Sequence, residues 1–265
     1  MIRRTFTSML GAAALCLAAA AGASAQDFQR SYNLESGGTV NIANVSGDVA
    51  LTGYDGAAVV VTAHKTGRDR DMVEVEDTST PGRVSLRAKY PNNCNCDAGV
   101  RFEVRVPRNG NIIFEKISTA SGDVKAEGFA GRVRLSTASG DVTVRGVSGE
   151  IQASSASGTV RVADAAGQVN ASTASGDVEV ELTRLEGDGD MRFSSASGDV
   201  RVRLPSTVNA YVNLSTASGS IETNFPIEVK SNRHGPGSRA EGQLGSGART
   251  LKISSASGNV SLKSI

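Results

Sequence analysis

The chain has 265 residues, and its 28 Lys+Arg against 27 Asp+Glu give a formal net charge of +1 at pH 7, so no global field draws in nucleic acid or anionic lipid. Aromatic residues make up 4%, Trp is absent, and 30 glycines stand against 6 prolines, a composition of tight turns between short strands and not of a disordered linker. Length suffices for a substantial core, in one elongated domain or in a small entry domain plus a repeat array.

The first segment, residues 1–25, reads as a signal peptide. Arg3 and Arg4 form a positive start, an Ala/Leu/Gly-rich run extends from Met9 to Gly22, and Ala23-Ser24-Ala25 supplies a small-x-small cleavage site. Arg3-Arg4-Thr5-Phe6 half-matches a twin-arginine signal, so the general secretory and twin-arginine routes both stay open. Cys16 follows Leu15, where a lipoprotein signal wants a small residue, and is discarded with the signal. Cleavage leaves 26 basic and 27 acidic residues, a net charge of −1 (26 − 27). No later run approaches the roughly 20 apolar residues that span a bilayer, so no transmembrane segment is expected after the signal is removed. The exported product is placed in the periplasm, outside the cell or on its surface.

Residues 26–107 read as irregular β coils that cap a longer array. Thr39–Val45 and Ala57–Ala63 are strand runs, and Arg83–Arg87 and Val100–Val106 alternate apolar and charged residues as half-buried strands do. Loops at Thr66–Asp71 and Asp77–Gly82 are expected to project. Cys94 and Cys96, in Asn93-Cys94-Asn95-Cys96, are the disulfide candidates of an oxidising compartment, although intermolecular pairing, free thiols or a metal also fit two sulfurs so close in sequence.

From Ser121 onward one phrase repeats. Glycine falls every nine residues from Gly122 to Gly176, and two residues after each comes Val124, Val133, Val142, Ile151, Val160, Val169 or Val178. Ser-(Thr/Ser)-Ala-Ser-Gly recurs at 118–122, 136–140, 154–158 and 172–176, then at 194–198, 215–219 and 254–258. An 18-residue coil of two short strands and two corners follows, 18–22 residues where insertions stretch it. The fold class is therefore all-β, a single-stranded β-helix or β-solenoid over residues 108–265, with coils about 4.8 Å apart. Residues 231–247, rich in glycine, are expected to be a mobile or partner-facing loop inserted in it.

Candidate chemistry is sparse. Asp48, Asp123, Asp141, Asp177 and Asp199, with Glu150 half a coil out of step, are spaced to stack as an acidic ladder along one corner, for which a calcium or sugar-hydrolase role competes with a structural one. Aspartate after glycine at a corner is expected to accept backbone N–H bonds there. Glu186, Asp188 and Asp190 are weak metal candidates, a calcium loop without the downstream EF-hand glutamate, and no cofactor is expected. His64 and His234 have no catalytic partners placed beside them, and no catalytic residue is assigned. The Ser/Thr pairs are expected to fill the inside of corners along with Ala138, Ala156 and Ala174, the competing arrangement being an outward hydroxyl array.

Phe102-Glu103-Val104-Arg105-Val106-Pro107, the serial Ser-Gly-Asp-Val phrases and the closing Thr250-Leu251-Lys252-Ile253-Ser254-Ser255-Ala256-Ser257-Gly258-Asn259-Val260 resemble the bacterial putative-adhesin family of β-strand-repeat proteins over nearly the whole mature chain. The resemblance implies an exported β-helix of adhesive or scaffolding role and brings no catalytic residues. The expectation is a non-enzymatic module at the cell envelope that meets an envelope glycan or a protein. A β-helix enzyme or lectin acting on envelope polysaccharide is the alternative.

Overall fold

The computed structural model describes residues 27–186, 189–231 and 236–265. The signal segment, Asp188 and His234 lie outside the described residues. The described chain is all-β, with one short 3-10 turn at Arg70–Met72.

Two ribbons of parallel strands face each other across a core of apolar side chains. In spatial order the first ribbon stacks Thr39–Ala43, Ile112–Ser121, Gly131–Ser139, Ser148–Ser157, the second half of Val160–Ser175, Met191–Ser197, Thr250–Ser257 and Ala210–Ser218. The second stacks Val49–Tyr54, Val124–Glu127, Val142–Arg145, the start of Val160–Ser175, Val178–Arg184, Val200–Leu204, Val260–Ser264 and Ile221–Thr223. Strand alternation sends every second side chain inward. Val133, Ile151, Val169, Met191 and Leu251 stack in one buried column, and Val142, Val160, Val178, Val200 and Val260 in the facing one. Phe114 and Phe129 widen the core near the N-terminal end, their ring centroids 5.4 Å apart.

Stacking departs from chain order at both ends. The coil built from Thr39–Ala43 and Val49–Tyr54 lies between the coil of Arg83–Lys89 and Gly99–Pro107 and that of Ile112–Ser121 and Val124–Glu127. Likewise the C-terminal coil, Thr250–Ser257 and Val260–Ser264, is interposed between Met191–Leu204 and Ala210–Thr223. Each of these coils thus has a parallel neighbour on both sides in both ribbons, which at the C-terminus protects the chain end from fraying. The segment 55–82 carries the chain out to one end of the stack and caps it there, and at the other end the described residues between Thr223 and Thr250 cap the stack before the chain turns back into it.

Antiparallel strands make those caps. Val59–Thr66 and Phe28–Tyr32 extend one ribbon beyond Gly99–Pro107, and Glu74–Asp77 pairs with Arg83–Lys89. At the other end the expected loop at 231–247 contains the strand Ser238–Leu244, which covers the edge of Ala210–Ser218 and pairs with Val229–Ser231. Ser238–Leu244 buries Ala240 and Leu244 against the core, so apolar contact and ladder hydrogen bonds order it where glycine content alone pointed to a loop.

The main corner explains the repeated phrase. Thr119, Thr137, Ser155, Thr173, Ser195, Ser255 and Thr216 are buried, and each hydroxyl donates to the corner glycine carbonyl of the adjacent coil at 2.7–3.0 Å. These carbonyls sit where the ladder is interrupted, so the hydroxyl supplies the partner that burial demands. The preceding serines, such as Ser136 and Ser154, point outward. Ala138, Ala156 and Ala174 are exposed on the ridge, contrary to the inward placement expected of them, because the inside of the corner is already filled by the hydroxyl column.

Candidate functional site

The corner aspartates are structural first. Asp48, Asp123 and Asp141 each accept, through Oδ1, the backbone N–H of the equivalent residue one coil on, at 3.0, 3.0 and 2.8 Å. Asp177 and Asp199 do the same for Asp199 and Asn259 at 2.9 and 2.8 Å, and Asn259 accepts from Ser220 at 3.0 Å. The other carboxylate oxygen faces a cation: Arg161 lies 3.0 Å from Asp141, and Arg201 lies 2.8 Å from Asp177 and 2.6 Å from Asp199. Burial pushes the Asp177 carboxyl up, but hydrogen bonds from Arg201 and the Asp199 N–H, with the charges of Arg201 and Arg161, outweigh it and hold the group below its ordinary 3.8. Glu150 stands on the other ribbon, 2.7 Å from Arg132.

The remaining sequence candidates are scattered. Asp190 Oδ1 accepts the Thr250 N–H at 2.8 Å, and its carbonyl accepts from Gln168 Nε2 at 2.9 Å, so it fastens the interposed C-terminal coil. Glu186 is exposed, and Asp188 lies outside the described residues. Among the described residues no three His, Cys, Asp or Glu side chains gather as a metal site would require. Cys94 and Cys96 lie in bonding contact, their Cα atoms 5.1 Å apart, in a loop pinned to Asp69 through the Asp97 N–H at 2.9 Å. His64 Nε2 is 3.9 Å from Glu103 on the neighbouring antiparallel strand.

What the register assembles, and the sequence does not display, is the outward face of the first ribbon. One continuous line runs Asn41, Lys116, Arg134, Gln152, Asn170, Arg192, Lys252, Asn213, one side chain per coil, with a bulge at Glu115/Lys116. Eight rungs at about 4.8 Å make this line about 34 Å long. Beside it runs a second line: Ala43, Ser118, Ser136, Ser154, Ser172, Ser194, Ser254, Ser215. Between the long Arg134 and Arg192 the shorter Gln152 and Asn170 leave a trough of about 620 Å³, floored by the serine line.

Electrostatics separate this face from the opposite one. On the second ribbon Arg161 and Arg203 meet Glu179 and Glu181, each at 3.2 Å, and Arg201 meets Glu179 at 3.5 Å. On the first, among the described residues, Lys116, Arg192 and Lys252 have no acidic partner, and Arg134 donates only to the neutral Gln152 at 2.8 Å. Glu115 at the rim is taken by Arg83 at 3.3 Å and Asn41 at 3.2 Å. The line's far end is closed, since Asn213 donates to Glu241 of the capping strand at 3.0 Å. A signal for this face exists in the sequence only as the residue two before each outward serine, and it is readable only once the coil order is known.

A family model described as Toastrack DUF4097 matches residues 36–263. No curated protein matches the chain. Among solved structures the chain is similar to a putative cell adhesion protein from Clostridium sporogenes, at 13% identity over 90% of this chain and 99% of that one, with a TM-score of 0.40. It is also similar to a putative adhesin from Bacteroides fragilis, at 13% identity over 90% and 96%, TM-score 0.32. A putative adhesin from Parabacteroides distasonis matches at 10% identity over 90% and 96%, TM-score 0.35.

Proposed function

We propose that this chain, which belongs to the Toastrack DUF4097 family, is an exported, non-enzymatic binding module of adhesin-like role at the cell envelope, wound as a single-stranded β-helix. The observation that carries this reading is the line of outward polar side chains from Lys116 to Lys252, held in register by the parallel strands beneath it. A rigid sheet presents such a line without the ordering cost that a loop would incur on binding. The engagement of every corner aspartate by a backbone N–H supports a binding role over acid–base catalysis. The signal-like residues 1–25 support export. No cofactor enters the proposal.

The test is thermal unfolding of the purified protein alone and with peptidoglycan, lipopolysaccharide and envelope polysaccharide fractions, with and without a calcium chelator. A ligand of the native state raises the melting temperature by mass action, and a rise with at least one fraction, unchanged by chelator, is expected. No rise with any fraction, or release of cleaved product during incubation, overturns the proposal.

A further inference from the structure

We infer that the face from Lys116 to Lys252 is a site for a linear acidic polysaccharide, an inference that rests on the binding role proposed above. Four cations stand in it as two adjacent pairs, Lys116 with Arg134 and Arg192 with Lys252. Gln152 and Asn170 occupy the two rungs between the pairs, so Arg134 and Arg192 are about 14 Å apart along the stack. The cations are solvent-exposed and, among the described residues, have no carboxylate partners, whereas Arg161, Arg201 and Arg203 of the opposite face are engaged by Glu179 and Glu181. A guanidinium fork left open is a carboxylate or sulfate receptor, because its paired N–H donors match the two oxygens of the anion.

The neighbouring groups set the polymer class. Gln152 accepts from Arg134 and donates to Glu150, and Asn170 Oδ1 accepts the Arg192 N–H, so the Asn170 amide N–H groups and the row of hydroxyls are what the line offers to the hydroxyl groups of a sugar chain lying along the stack. The line carries no aromatic ring, which removes the stacking platform on which single-stranded nucleic acids lie. None of the exposed large apolar residues, Val45, Met72, Tyr211, Val229 and Ile265, lies on the line, so a folded protein partner would lack a buried anchor there. The Asn213 end is closed by Glu241, which repels an anion and stops the polymer at Lys252.

The test is titration of the purified full chain with polygalacturonate, dextran sulfate, neutral dextran and poly-glutamate at low and high salt. The variant Lys116→Gln/Arg134→Gln/Arg192→Gln/Lys252→Gln is compared with Arg145→Gln/Arg161→Gln/Arg201→Gln/Arg203→Gln, which removes equal charge from the other face. Polygalacturonate or dextran sulfate should bind in low salt and be released in high salt, since exposed charge pairs are screened. Binding should fall about tenfold or more in the first variant, from the loss of four exposed ion pairs, and within about twofold in the second. Whichever polyanion binds more tightly identifies carboxylate or sulfate as the recognised group. Equal weakening in both variants, equal binding of neutral dextran, or poly-glutamate binding as tightly as either polysaccharide overturns the inference. If an envelope fraction still stabilises the first variant as it does the natural protein, the site assignment fails while the binding role stands. If no fraction or polymer binds, both fail. Far-UV circular dichroism and melting of the first variant check its fold, and Arg192→Lys, which keeps the charge and loses the fork, supplies a second readout on a folded chain.

Discussion

Replacing Gly158 with alanine tests the corner as a packing device. Gly158 sits at φ 146°, and an added Cβ would lie 2.0 Å from the Gly140 carbonyl oxygen of the adjacent coil. An L-residue in this backbone region costs about 1–3 kcal/mol. The contact is with backbone, so Gly140 must move, and its carbonyl is the acceptor of the Ser155 hydroxyl at 2.9 Å. Weakening that hydrogen bond adds about 0.5–1.5 kcal/mol. The lower chain entropy of unfolded alanine returns about 0.4–1 kcal/mol. The net is a loss of about 0.5–4 kcal/mol, centred on about 2, or a fall in melting temperature of about 1–16 °C for a chain this long. Gly82→Ala is the control: at φ 78° it carries backbone strain, but no atom lies within 4 Å of the added Cβ. Its cost should stay near about 1 kcal/mol. Urea unfolding of the two variants beside the natural protein decides the matter. Equal losses for Gly158→Ala and Gly82→Ala would show that close approach between coils contributes nothing and would refute the packing account.

Three further outcomes follow from the same geometry. Thr173→Val keeps the volume but removes the hydroxyl that meets the Gly158 carbonyl at 2.9 Å, and should cost about 1–2 kcal/mol in urea unfolding, while Thr173→Ser should cost less than half of that. Asp177 and Asp77 both titrate below their ordinary 3.8 in the folded chain. For Asp77 burial raises the group, and hydrogen bonds from Ser79, Tyr32 and Arg30 more than reverse it. A folded value below the unfolded one gives stability that is present above pH 3.8 and lost as pH falls through the folded values, so the melting temperature should drop in acid below about pH 4, and by less in Asp177→Asn. Finally, ending the chain after Gly247 removes the interposed coil and leaves Ala210–Ser218 and Ile221–Thr223 without parallel partners. Limited trypsin digestion should then cut rapidly after Arg203 and Lys230, and a fragment 204–247 as protected as in the full chain would sink the observed stacking order.

The coil itself was legible in the sequence because its constraints are local. Glycine every nine residues marks corners, the residue two beyond it is apolar because it begins an inward strand position, and Ser-Thr-Ala-Ser-Gly encodes a corner that closes on its own backbone. The order of coils was not legible, for a physical reason. Every coil offers the same width, corner carbonyl and inward valines, so any coil fits on any other, and the repeat carries no record of its neighbour. Which alanine faces water was equally hidden, since serine and alanine are both small enough for either side of the corner.

The candidate face shares that limit. Lys116 and Arg134 are one period apart, but Arg192 and Lys252 are 60 residues apart and meet only because the last coil turns back into the stack. The aspartate column records the same reversal: Asp199 accepts the N–H of Asn259, and Asn259 accepts that of Ser220, an order of 199, 259, 220 that no chain-order ladder produces. Interposition therefore does two jobs with one coil. It gives the chain end neighbours on both sides, and it places Lys252 beside Arg192 to complete the second cation pair, so the device that stabilises the end of the stack also finishes the face on which binding is proposed.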